Sequence, residues 1–173
     1  KGNYMMNLSE IKINNKTKWK RKHLNAIKIS YGKTPYFDQI YSELEKIYYG
    51  FEGEFLIEFV ISMIKYAFHK FDINIPIYRT SEIKNLGIKL DGQKSDLIIN
   101  MCKICGAKSY IFGAEGRNYI EKEKFSTNNI EHVFQRFDHP QYLQTYNEFI
   151  PKMSFLDLLF NHGSKSIEIL KKS

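Results

Sequence analysis

From residue 75 onward, short runs of β-favouring residues alternate with helical ones, and no other feature narrows the fold of this chain as far. Ile75 to Arg79 is followed by a helix over about 94–105, by Ser109 to Phe112, by a short helix over about 118–125, and by Glu131 to Phe137. Strands separated by helices pair in parallel, through right-handed crossovers. The first half is different. After a short extended run at Glu10 to Ile13, Trp19, His23, Ile27 and Tyr31 recur every fourth residue and mark one helical stripe that Gly32 ends. Thr34 and Pro35 read as N-cap and first residue of a second helix, along which Phe37, Ile40, Tyr41, Leu44, Ile47 and Tyr48 form an apolar face. In a third helix, about 54–71, the narrow polar stripe Glu54, Glu58, Ser62, Lys65, His69 interrupts otherwise apolar sequence, the pattern of a mostly buried element. Ser154 with Asp157 three residues later reads as a capping-box variant opening another helix that stops near Gly163, and a last helix runs to about Leu170. The expected fold is α/β: a small, mostly parallel sheet with flanking helices in three layers, and a helix-rich N-terminal half. No linker or repeat divides it, so residues 1–173 are expected to form a single domain.

Composition narrows the partners more than the chemistry. The apolar run from Phe55 to Phe68 is broken by Glu58 and Lys65 and is shorter than the about 20 residues a membrane span requires. The two cysteines, Cys102 and Cys105, are three apart, which suits core packing in a reducing, cytoplasmic setting and not a secreted disulfide framework; no second pair completes a zinc site. No metal site is expected, and the sequence does not identify a cofactor. Of the net charge of +7, a large part lies between Lys12 and Lys33, where eight Lys and Arg residues occur without an acid. Such a run reads either as a solvated helix face or as an anion-contacting patch. With Trp19 and Tyr31 as stacking groups it would make a nucleic-acid module, but aromatic residues at four-residue helical spacing more often face a core, and nucleic acid is not the expected partner.

In open α/β sheets ligands bind beyond the carboxyl ends of the strands. That rule selects Thr80 and Ser81, Gly113 to Arg117, and Asp138 to Pro140. Gly113-Ala-Glu-Gly116-Arg117 leaves a strand and enters a helix, so it is either a plain turn or a turn whose amides and Arg117 meet an anion. Asp138-His139 sets an imidazole beside a carboxylate, suited to acid–base work near neutral pH, or is an ordinary surface turn. Tyr142 and Gln144 follow closely. Asp157 and Asn161, four apart on one helix, share a face, and Asp157 either caps that helix or serves a site. His23, among apolar neighbours, reads as a border residue of the core.

Taken together these segments resemble the WbqC-like protein family of bacteria. The resemblance runs through Trp19 to Leu24, Tyr31 to Phe37, Ser81, Gly113 to Tyr119, Phe137 to Gln144, Phe149 to Pro151 and Ser154 to Gly163, the last block being the most specific. Members typically open with a strand carrying a His-Gln-Pro signature, which does not occur here, so the chain is expected to lack an N-terminal segment and with it part of the sheet. Phe112 also stands where members often have Ser.

The resemblance implies a part in making surface polysaccharide, particularly O-antigen, through acyl or aminoacyl transfer to a nucleotide-linked amino sugar. On that expectation Arg117, with the backbone at Gly113 and Gly116, neutralises phosphate. His139, with Asp138, acts as acid or base, while Ser81, Tyr142, Gln144, Asp157 and Asn161 orient sugar hydroxyls or an amine. A non-catalytic scaffold of a biosynthetic complex is the remaining alternative.

Overall fold

A computed structural model describes residues 6–146 and 148–172. The chain is helix-rich with a small parallel sheet, an α/β fold. It divides into two compact units, one of Lys1–Ile75 with His139–Ser173 and one of Pro76–Asp138. Among the described residues no helix is long and apolar enough to cross a membrane.

The first unit contains helices α1 (Trp19–Tyr31), α2 (Phe37–Gly50) and α3 (Leu56–Lys70), which the apolar spacing foresees, although α3 buries only Phe59 and Tyr66 and is not the mostly buried element expected. Their buried residues Leu24, Ile40, Leu44, Tyr48, Phe59 and Tyr66 form one core with Leu158, Leu159 and Phe160. Trp19 packs edge-on against Phe59 at 5.1 Å between centroids, and Tyr31 stacks on Phe160 at 4.6 Å. Removing so much aromatic surface from water is the main stabilising term here.

Two local expectations need correction. Thr34 does not cap α2: its hydroxyl donates back to the Tyr31 carbonyl, and the helix begins at Phe37 after a turn in which the Phe37 amide donates to the Thr34 carbonyl. The run Glu10–Ile13 forms only an isolated antiparallel bridge, Lys12 to Phe55, next to a short 3-10 turn.

The second unit contains α4 (Thr80–Asn85), α5 (Ser95–Ile104), β1 (Ser109–Phe112), α6 (Lys122–Thr127) and β2 (Glu131–Phe134). β1 and β2 pair in parallel with Ser109 opposite Glu131 and Phe112 opposite Phe134. One face of this ribbon packs Phe112 against Phe125, Ile130, Ile99 and Cys102, while Ile111 and Val133 on the other face are exposed. Gly106 closes α5 with a φ of +65°, the left-handed turn expected before β1.

Ile75 to Arg79 is not a strand. Pro76 has no N–H to give to a ladder, and the segment is irregular and largely exposed. β2 stops at Phe134 instead of Phe137 because its partner is only four residues long; the Gln135 amide makes the last ladder bond, to the Phe112 carbonyl. The single helix expected over 118–125 is instead a 3-10 turn, Ala114–Asn118, followed by α6.

In the first unit again, after residue 139, α7 (Phe155–His162) begins at Ser154, whose hydroxyl accepts from the Leu156 amide. A further short helix, α8, spans Ser166–Leu170.

Candidate functional site

α7 is unusual in burying five consecutive residues, Asp157 to Asn161, and two of them are polar. A carboxylate only 5% exposed is costly unless its oxygens are hydrogen-bonded. Asp157 does not spend its side chain on the helix cap, where the backbone carbonyl of Ser154 takes its amide. Its Oδ2 accepts instead from the Tyr142 hydroxyl at 2.8 Å and from Gln144 Nε2 at 3.0 Å.

Tyr31 faces the same carboxylate from the end of α1. Burial, and then the charge and hydrogen bond of Asp157, push its hydroxyl up to about 12. Burial and Asp157 raise Tyr142 as well. Both phenols therefore remain protonated donors across the physiological range.

Around Asp157 lies a cavity of about 230 Å³ lined by Ser30, Tyr31, Thr34, Gln144, Thr145, Tyr146, Ile150, Met153, Asp157 and Asn161. Three chain segments build it: the end of α1, one face of α7 and the stretch after Tyr142. The Gln144 amide ties that stretch to itself, donating to the Ile150 carbonyl and accepting from the Ile150 amide at 2.8 Å. Thr145 donates to Asn161 Oδ1, Asn161 Nδ2 donates to the Asp157 carbonyl, and the Tyr146 hydroxyl donates to the Ser30 carbonyl. Among the described residues no Lys or Arg lines the cavity. Among the described lining residues the carboxylate is the one formal charge, which suits hydroxyls, amides or a cation better than phosphate.

Of the residues singled out from sequence, Gln144, Asp157 and Asn161 line this cavity, and Tyr142 reaches it through Asp157. His139 lies in the same unit, half-buried, its ring 6.1 Å from that of Tyr142 and its Nδ1 2.9 Å from the Pro140 carbonyl. A carbonyl only accepts, so Nδ1 is the donor in this contact. Sequence reasoning did not assign Thr145 and Tyr146 to a site, and named Tyr31 only as a stacking group of the nucleic-acid alternative. Tyr31 carried a signal nonetheless, as the last residue of an apolar stripe directly before the helix-ending glycine.

Ser81, Gly113, Gly116, Arg117 and Asp138 belong to the second unit. Ser81 sits in the first turn of α4, and Asp138 is exposed. The Gly113–Arg117 turn contacts the carboxyl ends of both strands, as the α/β rule expects. Its Gly116 amide is donated to the Gly113 carbonyl, and a Cβ at Gly116 would lie 2.7 Å from Phe112 Cβ, so this glycine is required for packing. The Arg117 guanidinium is exposed and lies 5.2 Å from the centroid of the Phe134 ring. Among the described residues no group of three His, Cys, Asp or Glu side chains is placed to hold a metal ion.

The WbqC-like protein family matches residues 1–169, nearly the whole chain. The chain belongs to that family. It is also similar to the uncharacterized protein Rv1507c of Mycobacterium tuberculosis, with 24% identity over 172 residues that cover 99% of this chain and 72% of the relative. No solved structure matches significantly. Both the Ser154–Gly163 block that carries Asp157 and the Tyr31–Phe37 block that carries Tyr31 fall inside the family match.

Proposed function

We propose that this WbqC-like chain works in making bacterial surface polysaccharide, as a transferase that places an acyl or aminoacyl group on a nucleotide-linked amino sugar. The Asp157 cavity receives the sugar ring. The observation that carries this reading is a buried carboxylate, aimed by two hydrogen bonds, at the wall of a small cavity without basic residues. Its volume falls below the about 300–1,000 Å³ of pockets for drug-sized ligands, which favours one ring over a whole nucleotide. Tyr31 and Tyr146 supply aromatic surface against the ring, and Asp157, Asn161 and Gln144 supply acceptors and donors for an amine and hydroxyls.

In this reading His139 takes a proton from the amine as its nitrogen forms the new bond to the acyl carbon and the donor's leaving group departs. The nucleic-acid alternative loses support, because the Trp19 and Tyr31 rings are packed against Phe59 and Phe160.

Thermal shift with a panel of free amino sugars, neutral sugars and their nucleotide-linked forms tests the reading. Stabilisation by the amino sugars, reduced in Asp157→Asn, is expected. If none of these ligands raises the melting temperature of the wild-type chain, the sugar reading fails.

A further inference from the structure

We propose that the first unit carries a second binding site, an open cleft between the segment leading into α1 and the end of α2, which takes the phosphate groups of a small phosphorylated ligand. The cleft is independent of the Asp157 cavity and of the sugar reading. Its volume is about 480 Å³, and its wall includes Lys18, Lys20, Arg21, Tyr49 and Glu52. Three cations thus face one carboxylate. Among the described residues none of these four charged groups forms an ion pair. Like charges gathered on one concave wall raise each other's energy and concentrate anions from solution.

Lys20 is the most informative of the three. It is only partly exposed, and its ammonium donates to the Phe51 carbonyl while lying 5.8 and 5.9 Å from the centroids of the Trp19 and Phe51 rings. The carbonyl and the rings hold the side chain in place without neutralising it. An ammonium has three donors, so a phosphate oxygen can still be bound. Tyr49, 55% exposed, presents an aromatic face in the same cleft. A nucleoside diphosphate is therefore expected to bind more tightly than pyrophosphate, by stacking.

The chain has a single tryptophan, Trp19, and it lines this cleft, so its fluorescence reports occupancy directly. Titrating the whole chain with inorganic pyrophosphate, then uridine diphosphate, is expected to give a saturable change in emission, tighter for the nucleotide. The double variant Lys18→Ala/Arg21→Ala removes two exposed side chains outside the core, and should weaken both ligands at least about tenfold. Asp157→Asn should leave them unchanged, which separates failure of this site from failure of the sugar cavity. The proposal is overturned by an emission that never saturates or by a double variant that binds like wild type. It is also overturned if a single-stranded oligonucleotide binds far more tightly than the diphosphate with a steep salt dependence, which would make the patch a nucleic-acid surface.

Discussion

Replacing Asp157 by Asn isolates the charge at the centre of the cavity while preserving the shape of the side chain. The carboxylate accepts from Tyr142 at 2.8 Å and Gln144 at 3.0 Å, both on Oδ2. A hydrogen bond to a charged group contributes about 1.5–3 kcal/mol and a neutral one about 0.5–1.5 kcal/mol, so the exchange costs about 1 kcal/mol per bond, or about 2 kcal/mol in all. For a chain of this size that lowers Tm by about 4–8 °C. Tyr31 supplies a second readout. Its hydroxyl is held at about 12 by burial first and Asp157 second, so in Asp157→Asn its midpoint should fall while remaining above the ordinary 10. In the wild-type chain the folded state keeps this proton after the unfolded chain has released it, so the associated stability is complete below pH 10 and is lost as pH rises through about 12. In the variant that loss ends at a lower pH. NMR of ring-labelled tyrosine, with Tyr31 assigned by Tyr31→Phe, follows the titration while urea denaturation follows stability. An unchanged Tyr31 midpoint together with unchanged stability would show that the carboxylate is not the charged partner of these phenols.

Three other outcomes test the framework. Gly163 has a φ of +53° and a ψ of −128°, and a Cβ there would lie 2.5 Å from the Tyr36 ring, so Gly163→Ala should cost about 2–4 kcal/mol by thermal or urea denaturation; Gly50→Ala, with nothing within 4 Å, should be close to neutral. Burial pushes the Cys102 thiol up, whereas Cys105 is exposed, so a thiol reagent should consume one equivalent in the native chain and two after denaturation. Burial alone would raise the Glu43 carboxyl, but hydrogen bonds from Lys70 and Tyr66 outweigh it and hold it below its ordinary value. Glu43→Gln should therefore cost about 1–2 kcal/mol at neutral pH, with the difference from wild type vanishing as pH falls through the carboxylate range.

The elements that sequence foresees best are those whose signal is local and repeated. α1, α2 and α3 each bury an apolar stripe at helical spacing, and β1, between Gly106 and Gly113, has residues of β preference and a clear stop at both ends. The misread segments depend on distant partners. Ile75 to Arg79 has strand composition, but Pro76 and the lack of a neighbouring strand leave it unpaired. β2 is shorter than its apolar run because β1 ends first.

The site follows the same division. That Asp157 and Asn161 share a face is a consequence of helix geometry and is readable from four-residue spacing. That Tyr31, more than a hundred positions earlier, points its hydroxyl at that face depends on how α1 packs against Phe160, and no local pattern encodes it. The expectation that Ser81, the Gly/Arg turn and His139 act together was an inference from sheet topology. The first two belong to one unit and His139 to the other, and the Gly/Arg turn contacts both paired strands.

The cavity and the basic cleft occupy opposite ends of α1, since Tyr31 lines one and Lys20 the other. Along the helix these positions are separated by about 16 Å. No charged group is shared between them, and a separation larger than the Debye length of about 8 Å at physiological salt screens what direct coupling would remain. Occupancy of one should therefore leave the affinity of the other unchanged. Each ligand then adds its own term to stability, RT ln(1 + [L]/Kd), and melting shifts measured with an amino sugar and with pyrophosphate should sum when both are present. Competition between them, with a combined shift no larger than the greater of the two, would mean that both ligands use one site and that α1 does not separate ring from phosphate.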